Sequence, residues 1–279
     1  MNRKTKKNLL NAGYWFLVVA MIMYAIFPFY YAIITSFKLG SELFEVTFWI
    51  QKFNFENYLG LFSQQNFGRI IFNSFLVSGL TVVVSLIISI SASYALATIQ
   101  FKGKAVLLYL ILGVSMFPQI AVLSGLYTLL QLLNLFNNWF GLTFAYLIFT
   151  LPFTIWVLTS FIKEIPIELD ESARIDGATP MQTVIKIYLP ILGPATATTG
   201  LLAFIAAWNE FLFALTFTVN EKARTIPVAI SFITGSSKYE LPFGSIMAAS
   251  VLVTFPLIAL VLIFQKQIIS GLTAGSVKG

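Results

Sequence analysis

Apolar residues run through this chain in long blocks, not in alternation. Stretches 8–37, 70–101, 105–162 and 241–265 contain no Asp, Glu, Lys or Arg, and 187–220 contains only Glu210. A membrane-spanning helix needs roughly 20 apolar residues. The 58-residue block 105–162 is too long for one such helix and has a natural break at Asn134-Leu135-Phe136-Asn137-Asn138. Six helices are therefore predicted, near 13–36, 70–97, 105–127, 139–162, 191–218 and 243–268. Backbone polar groups in lipid must pair within their own segment, which favours helices. The alternating strands of about ten residues that build a β-barrel are absent. The expectation is an all-α membrane protein.

Composition agrees, with 58% hydrophobic and 10% charged residues, where soluble domains carry about 25% charge. The basic residues give an orientation. One side of the predicted bundle holds Arg3, Lys4, Lys6, Lys7, Lys102, Lys104, Lys163, Arg174, Lys186, Lys266 and Lys278; the other holds Lys38, Lys52, Arg69, Lys222, Arg224 and Lys238. Both termini and segment 163–190 are expected on the cytoplasmic side. The first apolar run is longer than a signal-peptide core and no small-residue cleavage pattern follows it, so it is expected to be retained. The net charge of +6 gathers at membrane ends and reads as topology, not as nucleic-acid binding. With no Cys and no His, disulfides, thiol chemistry, His- or Cys-based metal sites and histidine acid–base catalysis are excluded.

The chain divides into a basic lead (1–12), a six-helix domain (13–268) and a tail (269–279). External segments are expected at 37–69, which is rich in aromatics such as Phe44, Phe48, Trp49 and Phe53, and at 219–242. The aromatics fit an interfacial belt better than a partner contact. Short turns are expected at 98–104 and 128–138. Pro28, Pro118, Pro152 and Pro256 fall inside proposed spans, where each removes a backbone donor. Ser85, Ser89, Ala92 and Ser93 permit close helix packing. No embedded soluble domain and no internal repeat is visible.

The polar stretch 171–190, ESARIDGATPMQTVIKIYLP, lies between two apolar spans. Pro166 suits a first helical turn. Glu168, Asp170 and Glu171 suit the positive end of that helix. Gly177 suits a left-handed helix end, and Thr179-Pro180 an N-cap and first residue of a second helix. Met181, Val184, Ile185 and Tyr188 share one face, and Pro190 is expected to end it. Two short helices meeting at a glycine turn could fit a groove in a soluble partner. An ordinary loop folded on its own bundle is the alternative, and the residues alone leave the two even.

This stretch resembles the EAA loop of permease subunits of binding-protein-dependent ABC importers, with Glu171, Ala173, Gly177, Ile187, Leu189 and Pro190 on the pattern and Ser172 replacing its first alanine. Asp176-Gly177-Ala178 matches the family's turn. The end of the chain, Gln265–Gly279, resembles the sugar-importer subunits of the maltose and multiple-sugar (MalG-like) type. So do Trp208-Asn209-Glu210-Phe211, Thr225-Ile226-Pro227 and the Phe243–Ser250 segment. The resemblance implies a bacterial inner-membrane permease subunit that forms half of a sugar path. Its implied partners are a second permease, an ATPase dimer that binds ATP and Mg, an external solute-binding protein and membrane lipid. It implies ATPase coupling through Glu171, Ser172, Ala173, Asp176, Gly177 and Ala178, and tail contacts from Leu272, Thr273 and Lys278. It places the binding-protein contact near Thr225, Ile226 and Pro227. No cofactor is expected in this chain, which lacks the Gly-rich loop of nucleotide-binding proteins.

Gln119, Trp208 and Asn209 are the sugar candidates, because hydroxyl-rich ligands take amide hydrogen bonds and an aromatic face. Helix–helix hydrogen bonding is their competing role. Glu210 is also on the candidate path. It lies about 28 Å along its span at 1.5 Å per residue, near the outer surface, where pairing with an external Lys or Arg is the simpler reading. A permease for a compatible solute or amino acid would keep the EAA loop but usually not this tail. A stand-alone channel or membrane enzyme needs intramembrane groups that the sequence does not offer.

Overall fold

The computed structural model describes residues 3–234 and 242–274. Helices follow in the order α1 (Arg3–Ser36), α2 (Glu56–Gln64), α3 (Phe67–Thr98), α4 (Lys104–Ser115), α5 (Gln119–Leu132) and α6 (Trp139–Glu164). They continue with α7 (Glu168–Ile175), α8 (Pro180–Thr183), a π turn (Val184–Tyr188), α9 (Leu189–Ile191), α10 (Gly193–Trp208), α11 (Leu212–Phe217), α12 (Ile226–Ser231) and α13 (Phe243–Ala274). Among the described residues there is no strand. Leu10–Ser36, Phe67–Thr98, Trp139–Glu164 and Phe243–Gln267 are each long and apolar enough to cross a membrane, and two sharply bent helix pairs bring the possible spans to six.

The bends correct two of the predicted spans. The segment expected as one helix over 105–127 is α4 and α5, which meet at 93°. Pro118 stands at their junction in extended geometry, and the residue before a proline is driven out of helical backbone. This proline separates two helices and does not merely kink one. The segment expected over 191–218 begins with an 84° bend between Pro180–Ile191 and Gly193–Trp208. It breaks again at 209–211 before α11. Pro190 does not end the preceding helix; it lies inside α9, where a first-turn proline is tolerated. Pro28, Pro152 and Pro256 do lie within helices. The segments expected to be external contain helix too: a 3₁₀ turn at Gly40–Phe44 and α2 in one, α12 in the other.

The chain separates into two compact units, Met1–Phe67 with Phe232–Phe255, and Gly68–Ser231 with Pro256–Gly279. In the first unit Asn57 acts as a buried clasp. Its amide donates to the carbonyls of Ser36 (2.9 Å) and Lys38 (3.0 Å), and its carbonyl accepts from Ser245 Oγ (3.2 Å). A Cβ on Gly244 would stand 2.5 Å from the Asn57 amide nitrogen and 2.8 Å from the Lys38 carbonyl, so only glycine closes that approach.

The second unit has its core where α3, α5, α6, α10, α11 and α12 meet, around Val77, Leu130, Leu142, Tyr146, Phe213 and Val228. The small residues Ser85, Ser89 and Ser93 of α3 are fully buried, as their spacing on one helix face predicts. Ser93 Oγ donates to the Ile155 carbonyl of α6 at 3.0 Å. In contrast, α4 buries no residue within the chain, and large apolar side chains of α1 such as Phe16 and Tyr24 are exposed. Apolar surface of that extent belongs against lipid or another subunit.

Candidate functional site

The polar element at 166–191 forms as its residues dictate. Helix α7 carries Glu168, Asp170 and Glu171 in its first turn. It closes with the Gly177 amide donating to the Arg174 carbonyl (3.1 Å) and the Ala178 amide to the Ala173 carbonyl (2.9 Å). Gly177 has φ +77°, the left-handed region that favours glycine. The next helix opens on a complete capping box: Gln182 N donates to Thr179 Oγ1 (3.3 Å), and Thr179 N donates to Gln182 Oε1 (2.8 Å). Of the face predicted for this helix, Val184 and Tyr188 are buried while Met181 and Ile185 are exposed. Val184 and Tyr188 form the inner i,i+4 row of that stripe and Met181 and Ile185 the outer one, and a π turn spans 184–188.

Glu171, Ser172, Asp176 and Gly177 are exposed, Ala178 is half-buried and Ala173 is buried. The candidate residues therefore form one accessible knuckle with Ala173 as its internal support. Asp170 escapes sequence reasoning, because it reads as one of three equivalent first-turn acids. It is 1% exposed and accepts from Tyr94 Oη at 2.8 Å. It also pairs with Arg174, Nη2 to Oδ2 at 2.8 Å. The Tyr94 hydroxyl and then the Asp170 charge hold the Arg174 guanidinium above its ordinary pKa. Tyr94, Ile162, Val184, Tyr188 and Leu192 form the apolar cluster beneath.

The candidate path residues differ in exposure. Trp208 is 2% exposed, its ring T-shaped against Phe75 at 4.7 Å and stacked on Phe204 at 5.5 Å. Asn209 is exposed and donates to the Ile205 carbonyl at 2.8 Å. Gln119 is exposed at the first turn of α5. Glu210 is buried, and among the described residues it takes no ion pair. Its carboxylate accepts from the amides of Phe213 (2.8 Å) and Ala214 (3.0 Å), the unsatisfied donors that open α11. An acid inside an apolar stretch is stabilised here by the helix it starts.

Thr225 and Ile226 are buried, and the Ile226 amide donates to Ser74 Oγ at 2.8 Å. The preceding loop is held by polar side chains from distant helices. Asn73 of α3 donates to the carbonyls of Glu221 and Arg224, both at 3.0 Å. Trp139 Nε1 donates to Asn73 Oδ1 (3.1 Å) and to the Lys222 carbonyl (2.9 Å). Asn137 donates to Asn220 Oδ1 at 3.0 Å and accepts from the Val219 amide at 3.0 Å. Arg69, Asn137, Asn138, Trp139, Lys222 and Ala223 line a cationic notch of about 220 Å³ beside this loop. No local signal marks these pairs, since they join residues 66 to 151 positions apart. Leu272 and Thr273 fall in the last turn of α13, and Lys278 lies outside the described residues.

Residues 85–273 match the family described as binding-protein-dependent transport system inner membrane component. The chain is 42% identical over 268 residues to the trehalose/maltose transport system permease protein MalG of Thermococcus litoralis, covering 94% of each. It is 38% identical over 270 residues to the trehalose transport system permease protein SugB of Mycobacterium tuberculosis, covering 96% of this chain and 98% of that one. Its fold is similar to a chain in the crystal structure of a bacterial ABC transporter involved in the import of the acidic polysaccharide alginate. There the TM-score is 0.81 at 22% identity, over 95% of this chain and 98% of the other.

Proposed function

The chain belongs to the binding-protein-dependent transport system inner membrane components and is a multi-pass permease subunit of a sugar-importing ABC transporter; from that premise we propose how its parts divide the work. It is a transport subunit and not an enzyme, with ATP hydrolysis on separate ATPase subunits. The knuckle of α7, Gly177 and α8 is the EAA coupling loop between the fourth and fifth spans. It enters a groove of the ATPase with Glu171, Ser172 and Asp176 on its contact face. The observation that carries this reading is the pairing of an exposed polar knuckle with a buried root in the bundle. The excess of Lys and Arg on the same side puts this loop and both termini in the cytoplasm. The tail residues Leu272, Thr273 and Lys278 then reach the ATPase pair, which binds ATP and Mg.

On the opposite side, the loop at 219–226 receives the solute-binding protein. Its buried Thr225 and Ile226 hold the exposed Asn220 and Lys222 in place, with Pro227 behind them. The sugar path passes Gln119 and Asn209, whose amides are accessible, while Trp208 and Glu210 support the break that presents Asn209. A second permease covers the apolar surface that α1 or α4 leaves open, and lipid covers the rest. The substrate is a mono-, di- or oligosaccharide or glycoside, a class supported by the relatives named for trehalose and maltose.

The test is reconstitution in proteoliposomes with its partner permease, ATPases and binding protein. ATP-dependent accumulation of a labelled sugar from a panel that includes maltose and trehalose is expected. Accumulation of amino acids or compatible solutes instead, with no sugar transported, contradicts the substrate class.

A further inference from the structure

Asp170 is a buried carboxylate on a short helix most of whose residues are exposed. Only it and Ala173 are buried in α7, while the neighbouring Glu168 and Glu171 are exposed. Removing a carboxylate from water is costly unless it is paired and hydrogen-bonded, and a turn of α7 by one residue would place this acid in water. The fold instead brings it to Tyr94, in the final turns of the 32-residue α3. The two are 76 positions apart in sequence and 2.8 Å apart in space. Arg174 occupies the second carboxylate oxygen at 2.8 Å. The Tyr94 ring is then fixed from the other side by Tyr188 in the π turn, T-shaped at 5.2 Å. One phenol thus bonds α7 through its oxygen and the following helix through its ring.

Apolar contacts such as those of Ile162, Val184 and Leu192 hold elements together but are not directional, so they permit sliding. A hydrogen bond to a charged acceptor is short and directional. We propose that the Tyr94–Asp170 bond is the rigid joint that makes α7 and the membrane helix α3 move as one body, with Tyr94 and Asp170 as positioning residues for coupling. The inference rests on the reading of α7 as the ATPase contact and adds the route by which displacement enters the bundle.

The chain has no cysteine, so labels are placed cleanly. Spin labels at Glu168→Cys on α7 and Ile87→Cys on α3 report their separation in the full complex with cysteine-free partners. Distances are measured with and without ATP–vanadate trapping. In the parent complex the distance is the same in both states. Tyr94→Phe keeps the ring and removes only the donor. Its complex assembles and hydrolyses ATP, but in the trapped state a second distance appears. The ratio of joined to separated populations then falls on the order of tenfold, the factor carried by one hydrogen bond to a charged group. Asp170→Ala behaves like Tyr94→Phe, and Asp170→Asn, which keeps an acceptor for the phenol, restores the single distance.

A single unchanged distance in both Tyr94→Phe and Asp170→Ala overturns the joint and leaves the ATPase contact standing. A distance that already shifts in the trapped parent overturns the joint as well. A parent chain that fails to retain the ATPases overturns the contact itself, and the joint with it.

Discussion

Glu210 Oε1 accepts the backbone N–H of Phe213 at 2.8 Å, in the first turn of α11. The second oxygen takes Ala214 at 3.0 Å, so a single acid satisfies two of the orphan donors of this helix inside an apolar bundle. Glu210→Ala leaves those amides buried without partners, at a cost of about 1–3 kcal/mol. Glu210→Gln keeps one acceptor and loses less. Thermal unfolding of the purified complex should rank the parent above Glu210→Gln and Glu210→Ala lowest. Equal midpoints would show that the cap contributes nothing.

Asn73 ties two carbonyls of the 219–226 loop to α3 and accepts from Trp139. Asn73→Ala removes all three bonds and loosens the loop without touching its exposed residues. Amide hydrogen exchange across 219–226 should accelerate by about tenfold, as local opening of a pinned segment becomes cheaper. Stimulation of ATP hydrolysis by the binding protein should fall while the unstimulated rate stays.

Two glycines give opposite outcomes on alanine substitution. A Cβ at Gly141 would lie 2.0 Å from the Leu135 carbonyl oxygen, which is backbone and has little room to yield. Gly141→Ala should cost about 1–3 kcal/mol or more through forced backbone shifts. A Cβ at Gly200 meets the Leu86 Cδ1 at 3.2 Å, the end of a flexible side chain. Gly200→Ala should be nearly neutral. Thermal midpoints of the two variants, measured side by side, check the contrast.

Gly177 sits at φ +77°, and a Cβ added there would meet nothing within 4 Å. Gly177→Ala therefore carries only the torsional cost of a left-handed residue, about 1–2 kcal/mol, and should reduce sugar uptake. Gly177→Pro cannot adopt positive φ at all and should abolish uptake while membrane insertion persists. Normal uptake by the proline variant would contradict the role given to this turn.

The positions of the apolar helices were legible because spanning lipid demands long runs without charge. The caps of the polar element were legible for a similar reason: Thr179-Pro180 and Gly177 act on neighbours two to four residues away. The break at Pro118 was visible as a proline but not as a 93° turn, since composition on both sides stays apolar. Glu210 misled because an acid near a span end suggests an ion pair, whereas its partners are backbone amides that carry no sequence signature. The Tyr94–Asp170 bond and the Asn73–Trp139 clasp were illegible for a different reason. They join residues far apart in the chain, and only the tertiary packing of α3 brings them together.

If the knuckle at 166–190 is the coupling loop, it touches the ATPase. Ser172→Cys places a single thiol on its accessible face in a chain with no other cysteine. A photoactivatable crosslinker attached there, in the intact membrane complex, should yield an adduct with the ATPase subunit whose abundance changes on ATP–vanadate trapping. Adducts found only with lipid or with the partner permease, and none with the ATPase, would contradict the account.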